Sequence, residues 1–178
     1  MKILINDGLH SVGIALLEKA GHQVDTNTIA QDDLLNKLNE YDAILVRSAT
    51  TVRKDLMDAA PNLKVIGRGG VGLDNIDVEY AKSKNISVFN TPAASSRSVA
   101  ELAMAHLFGI VRSLPAVNKA MSLDGVSDFK ALKKSASKGI ELQGKTLGLI
   151  GFGRIGRETA SIAIGCGMKI IAYDPYLT

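Results

Sequence analysis

Thr146-Leu147-Gly148-Leu149-Ile150-Gly151-Phe152-Gly153-Arg154-Ile155-Gly156, followed 18 residues later by Asp174, is the most informative stretch of this chain. Its first five residues have the make-up of a short buried strand, and they run directly into the pattern G-x-G-x-x-G. Arg154 and Ile155 open a helix, and Asp174 ends the next strand, Lys169 to Tyr173. A dinucleotide site needs these three neighbours. The helix turns its free N–H groups and its dipole toward a pyrophosphate, and the carboxylate receives the adenosine ribose. Gly151 permits the tight turn, Gly153 lets backbone approach the phosphates, and Gly156 lets helix and strand pack closely. Asp174 favours NAD over NADP, because a carboxylate accepts from both ribose hydroxyls and repels a 2′-phosphate, and Pro175-Tyr176 adds no cation.

Upstream, short apolar runs alternate with amphipathic stretches, which predicts a parallel α/β architecture. Strands are expected at Lys2 to Asn6, His22 to Thr26, Ala43 to Arg47, Lys64 to Gly67 and Ile86 to Asn90. The helices between them are expected from Ser11, as N-cap, to Gly21, then near Asp32 to Leu38, Lys54 to Ala60 and Asn75 to Ser83. Five strands and four crossovers make a flavodoxin-like open sheet, which places a first domain at 1–94. A second domain, 95–178, then begins with a long helix over Ser95 to Arg112. That helix is apolar on most of its circumference and therefore needs to be buried against a second domain or subunit. Pro92 is a natural hinge between the two. The stretch from Ser122 to Gly139, with Lys130, Lys133, Lys134 and Lys138, reads as a solvated loop.

The G-x-G-x-x-G pattern also occurs at Gly67 to Gly72. Its following strand ends in Asn90 rather than a carboxylate, and no helix cap arrives in time, so it is not a dinucleotide site. It lies at the carboxyl edge of an open sheet, where ligands bind. Bare glycine amides there form an anion nest, with Arg68 inside it and Arg47-Ser48 ending the neighbouring strand. Two guanidiniums beside a nest suit a doubly anionic small ligand, while pairing with surface acids is the alternative.

Composition narrows the field further. The chain has 178 residues, 46% hydrophobic and 22% charged, which excludes a disordered chain, and its single cysteine, Cys166, excludes a disulfide framework. A net charge of +3, from 21 basic against 18 acidic residues, is too balanced for a nucleic-acid-binding face. Apolar runs stop short of the ~20 residues of a membrane span, and Met1-Lys2 leads straight into a strand, so a cytoplasmic location is the default expectation.

Taken in order, RSAT at Arg47, GRGGVGLDNID at Gly67, NTPAASSRSVAELAMAHLFGIVR at Asn90, GKTLGLIGFGRIGRE at Gly144 and AYDP at Ala172 resemble the D-isomer-specific 2-hydroxyacid dehydrogenases. The resemblance runs from about Lys2 to Pro175. It implies NAD-linked oxidation of a phosphorylated 2-hydroxy acid, 3-phospho-D-glycerate, to 3-phosphooxypyruvate at the entry to serine synthesis. By the same resemblance Arg47 and Arg68, with Ser48 beside them, contact the phosphate. The backbone of Gly69, Gly70 and Val71 holds the substrate carboxylate next to the nicotinamide. Ser98 and Val99 line the nicotinamide side, Arg154 and Ile155 give N–H groups to the pyrophosphate, and Asp174 takes the ribose. The long helix is the core of a homodimer in that family. The segment Ser122 to Gly139 departs from the pattern, since relatives often have a shorter stretch with a tryptophan.

Hydride transfer from a hydroxy acid needs a base for the hydroxyl proton and a cation on the carboxylate. The resemblance implies a histidine, a glutamate and an arginine that lie beyond the second nucleotide-binding strand. His10, His22 and His106 are poor substitutes. The chain ends at Thr178 with two of the six strands of a dinucleotide fold, and so reads as a fragment expected to be inactive by itself. A glycerate or hydroxypyruvate reductase, and a non-catalytic NAD-responsive dimeric binding module, are the alternative functions.

Overall fold

In the computed structural model, residues 1–124 and 126–177 are described. They fall into two compact units, Met1–Ala94 and Ser95–Thr178.

In the first unit, β1 (Lys2–Ile5), β2 (Gln23–Asp25), β3 (Ala43–Val46), β4 (Val65–Arg68) and β5 (Ser87–Asn90) form one parallel sheet in the order β2-β1-β3-β4-β5. This is the flavodoxin-like order, and its sense reverses between β1 and β3, where a crevice opens at the carboxyl ends. Residue alternation along the strands sorts side chains between the two faces. Leu4, Ile44, Val46 and Ile66 pack under α2 (Gln31–Lys37), α3 (Lys54–Ala59) and α4 (Val78–Ser83), together with the wholly buried Leu34, Leu38 and Leu56. Ile3, Ile5 and Ala43 face the other way, where Ile14 and Leu17 of α1 (Ser11–Lys19) cover them. Leu16 and Phe89 remain exposed.

Local chemistry moved two helix starts. His10, not Ser11, caps α1, because its Nδ1 accepts from Val12 N–H at 3.3 Å. The fourth helix begins at Val78 rather than near Asn75, because Asp77 caps it by accepting from Tyr80 N–H at 3.1 Å. Asn75 is instead committed to the loop after β3, as described below.

The second unit has α5 (Ser96–Val111), α6 (Leu114–Asp124), α7 (Phe129–Ala136), β6 (Thr146–Ile150), α8 (Arg154–Gly165) and β7 (Lys169–Tyr173). Strands β6 and β7 pair in parallel, Ile150 opposite Tyr173. Met104, Leu142, Ala163 and Met168 form its core. Of the solvated loop expected over Ser122 to Gly139, in which residue 125 lies outside the described residues, the solvation holds and the loop does not: residues 122–124 and 129–136 are helical, and none of the segment's described side chains is buried. Lysine, leucine and alanine are good helix formers, and Phe129, Leu132 and Ala136 recur on one face, which the polar composition concealed. Lys133 and Lys134 lie in the last turn of α7, where cations suit the helix dipole. Within the chain α5 buries only Ser96, Ala100 and Met104 among its described side chains, and Leu102 and Ile110 are exposed. His106, expected inside a buried helix, is exposed as well. Among the described residues no single helix is long and apolar enough to cross a membrane.

Candidate functional site

Two sites arise, one in each unit. In the second unit Gly151 sits at φ 94°, a left-handed conformation that suits glycine. Its N–H donates to Tyr173 O at 2.7 Å, which fastens the end of β6 to β7. Gly156 lies against it so tightly that a Cβ would stand 2.3 Å from Gly151 O. A Cβ on Gly153 would meet nothing within 4 Å, so the space over the turn is open to a ligand. The N–H groups of Arg154, Ile155 and Gly156 have no protein acceptor among the described residues, because the first intrahelical bond of α8 is donated by Arg157 to Gly153 O. Such a helix start is an anion site. Asp174 has a second task that the spacing did not reveal. Its Oδ2 accepts from Phe152 N–H at 2.7 Å and its Oδ1 from Tyr176 N–H at 3.0 Å. These bonds hold its carboxyl below the ordinary aspartate value, Phe152 first, and leave each oxygen with further acceptor capacity. The residues present fit a dinucleotide.

In the first unit a cavity of about 500 Å³ opens at the reversal between β1 and β3, lined by Asp7 to His10, Arg47, Arg68, Gly69, Phe89 and Thr91 among others. The loop after β3 is held rigidly from below. Asp7 Oδ2 accepts from Arg47 N–H at 2.7 Å and Thr50 N–H at 3.0 Å, and Asp7 Oδ1 accepts from the Thr50 hydroxyl at 2.5 Å. Buried Asn75 donates to Arg47 O at 2.8 Å and Thr50 O at 2.7 Å. This scaffold leaves the Arg47 side chain exposed, with no hydrogen-bond or ion-pair partner among the described residues. Ser48 is exposed beside it.

Two expectations for the first glycine motif change, and one holds. Gly67 lies in β4, as the strand expected over Lys64 to Gly67 has it, and a Cβ there would come within 2.5 Å of Leu45 Cδ2 and 2.7 Å of Phe89 Cζ; close packing of neighbouring strands calls for glycine there. The amides of Gly69 and Gly70 are not bare, since they donate to Val46 O at 2.8 Å and Arg68 O at 3.0 Å. Arg68 is not free either. Its side chain is 12% exposed, its Nε donates to Arg47 O at 3.2 Å, and its Nη1 donates to Gly72 O and pairs with Asp74 at 3.0 Å. Arg68 clamps the turn, and among the described residues the free cation at the cavity is Arg47.

Asp7 was invisible to motif reading, although an Asp-Gly pair ending a first strand beside the switch point is a usable signal. Burial works to raise its pKa, but the Thr50 hydroxyl and the N–H groups of Arg47, Thr50 and Ala49 outweigh burial and hold it below the ordinary aspartate value. A carboxyl with a lower pKa folded than unfolded stabilises the fold fully above about pH 4, and this contribution is lost as pH falls through the depressed value. Asp7→Asn is expected to destabilise the first unit by about 1–3 kcal/mol at neutral pH and to flatten the acid limb of the stability curve. Urea unfolding between pH 3 and pH 7 checks both; an unchanged acid limb would remove Asp7 from this role.

The sequence profile of the D-isomer specific 2-hydroxyacid dehydrogenase catalytic domain matches residues 3–171. The chain belongs to the D-isomer-specific 2-hydroxyacid dehydrogenase family. It is 46% identical over 177 residues to D-3-phosphoglycerate dehydrogenase of Methanocaldococcus jannaschii, covering 99% of this chain and 33% of that protein. It is 47% identical over 175 residues to hydroxypyruvate reductase of Thermotoga maritima, covering 98% and 55%. The NAD+-bound 3-phosphoglycerate dehydrogenase of Entamoeba histolytica matches with a TM-score of 0.78 and 32% identity, over 100% of this chain and 55% of that chain. The chain therefore spans from about a third to just over half the length of these 2-hydroxyacid dehydrogenases. Of the residues singled out by sequence, Gly151, Gly153, Arg154, Ile155, Gly156 and Asp174 lie together in the second unit. Arg47, Ser48, Arg68, Gly69, Gly70 and Val71 lie together in the first. Ser98 and Val99 are exposed on the first turn of α5.

Proposed function

We propose that this chain carries the cofactor and substrate-anion sites of an NAD-linked dehydrogenase that oxidises 3-phospho-D-glycerate to 3-phosphooxypyruvate. The open glycine turn at the start of α8, beside Asp174, carries the cofactor assignment. Arg154, Ile155 and Gly156 offer N–H groups to the pyrophosphate, and Asp174 accepts from the ribose without giving up its hold on Phe152. NAD, when bound, accepts the hydride from C2 of the substrate. Arg47 holds the phosphate, and the turn after β4 holds the carboxylate. The exposed Leu102 and Ile110 of α5 support a homodimer in which a second copy covers them; sedimentation should then give twice 18.9 kDa.

One observation favours a second reading, a hydroxypyruvate or glycerate reductase. Arg68 is spent on the turn, so among the described residues one unpaired guanidinium faces the cavity where sequence suggested two. A single carboxylate needs no more than that.

A polypeptide of these 178 residues is expected to bind NAD without reducing it. Among the described residues no histidine touches a carboxylate: His10 accepts from Val12 N–H and His22 contacts the amino terminus. Absorbance of NADH in the presence of NAD and 3-phosphoglycerate, on material of verified mass, tests this. Turnover would overturn it, and failure to bind NAD by calorimetry would overturn the cofactor assignment.

A further inference from the structure

Of the three amides that the resemblance assigned to the substrate carboxylate, those of Gly69 and Gly70 are occupied and that of Val71 has no acceptor among the described residues, which raises the question of which donors the turn after β4 does offer. The end of β5 answers it. Thr91 N–H donates to Gly70 O at 3.0 Å, and Asn90 Nδ2 donates to Val71 O at 2.5 Å. A trans peptide is planar, with its C=O and N–H pointing in opposite directions. Gly70 O shares its peptide with Val71 N–H, and Val71 O shares its peptide with Gly72 N–H. By pinning both carbonyls, the end of β5 turns both N–H groups away from itself. Neither has a protein acceptor among the described residues, and Val71 and Gly72 are both exposed. Gly72 cannot be larger without disturbing the arrangement, since a Cβ there would lie 2.8 Å from Asp74 Oδ1 and 2.9 Å from Arg68 Nη1, the two ends of the clamp.

We propose that Asn90 is a positioning residue: its carboxamide, acting with Thr91 N–H, aligns the amides of Val71 and Gly72 as the paired donors that receive the substrate carboxylate. This rests on the turn being the substrate-anion site. Two successive backbone N–H groups on one side of a turn form a nest suited to a carboxylate or phosphate oxygen. This pair keeps Val71 of the three amides that the resemblance implied and adds Gly72 in place of Gly69 and Gly70. Asn90 does for this turn what Asp174 does for the other: a side chain at the end of the adjacent strand grips the glycine turn and sets its amides.

The test uses the ¹⁵N-labelled chain with D-glycerate, which presents only the carboxylate end, and 3-phospho-D-glycerate. In the wild type the Val71 and Gly72 amide resonances are expected to move with both ligands, and those of Gly69 and Gly70 to move much less. Asn90→Ala should weaken both ligands about tenfold, a loss of ~1.4 kcal/mol, and abolish the Val71 and Gly72 responses, with NAD affinity and the unfolding midpoint unchanged. Should alanine loosen the strand end, Asn90→Asp keeps the shape, removes the donor and is expected to weaken both ligands at least as much. Unchanged affinities in both variants, or wild-type shifts confined to Gly69 and Gly70, would overturn the proposal. If Arg47→Ala still loses 3-phosphoglycerate selectively in that case, the substrate reading stands and only the role of Asn90 falls. If the wild type binds neither ligand, both fall.

Discussion

Gly156→Ala is expected to lower NAD affinity at least a hundredfold. The added Cβ would sit 2.3 Å from Gly151 O and 3.2 Å from Gly151 C, and both of these are backbone atoms. Neither partner can yield. Gly151 is held by its bond to Tyr173 O and Phe152 by its bond to Asp174, while Thr159, Ala160 and Ala163 bury the inner face of α8. To regain ordinary van der Waals separation α8 must slide outward by about an ångström, and its first amides move with it. Hydrogen bonds to charged groups contribute about 1.5–3 kcal/mol each, so misplacing two of them suffices for two orders of magnitude. The same overpacking should cost about 1–3 kcal/mol of stability. Gly153→Ala is the matching control: nothing lies within 4 Å of its Cβ, so stability should hold while NAD, if it occupies the proposed site, binds less tightly. Calorimetric titration with NAD and thermal unfolding separate the two variants. NAD binding by the Gly156→Ala protein at wild-type strength would refute the cofactor site.

Arg47→Ala should separate the two substrate readings. Among the described residues the Arg47 guanidinium has no protein partner to lose, so its removal leaves no acceptor stranded and should hardly change stability. If it holds a phosphate, affinity for 3-phosphoglycerate should fall roughly ten- to a hundredfold, the scale of one charge-assisted pair, while D-glycerate is nearly unaffected. Equal losses for both ligands would favour the reductase reading, and no loss for either would remove the cavity from consideration. Arg68→Ala is expected to behave differently, weakening both ligands, because Arg68 acts through Gly72 and Asp74 on the shape of the turn.

Both glycine motifs are alike as strings, yet their glycines answer to different neighbours. In the second motif the tight turn at Gly151 and the close packing at Gly156 were legible because each depends on residues nearby in sequence: the strand before and the helix after. In the first motif Gly67 is explained by Leu45 and Phe89, which come from the strands on either side of it. No spacing rule within the motif contains them. The helix at 129–136 was hidden for another reason, since its apolar face is narrow and its lysines dominate the composition.

The sequence by itself determined the alternation of strands and helices, the division near residue 94, the glycine turn between β6 and α8 with Asp174 at the end of the next strand, and the family. These depend on local periodicity, on glycine geometry and on spacings within one βαβ unit. Tertiary structure alone decided which groups are still free to act. Arg68 and Gly69 are engaged by partners that the sheet brings alongside and Gly70 by Arg68 O within the turn, while among the described residues Arg47, Val71 and Gly72 remain open and Asp7, Asn75 and Asn90 hold the surrounding backbone. The physical reason is that a donor's availability depends on whether an acceptor lies within about 3 Å of it, and for residues at strand ends that acceptor comes from a neighbouring strand distant in sequence.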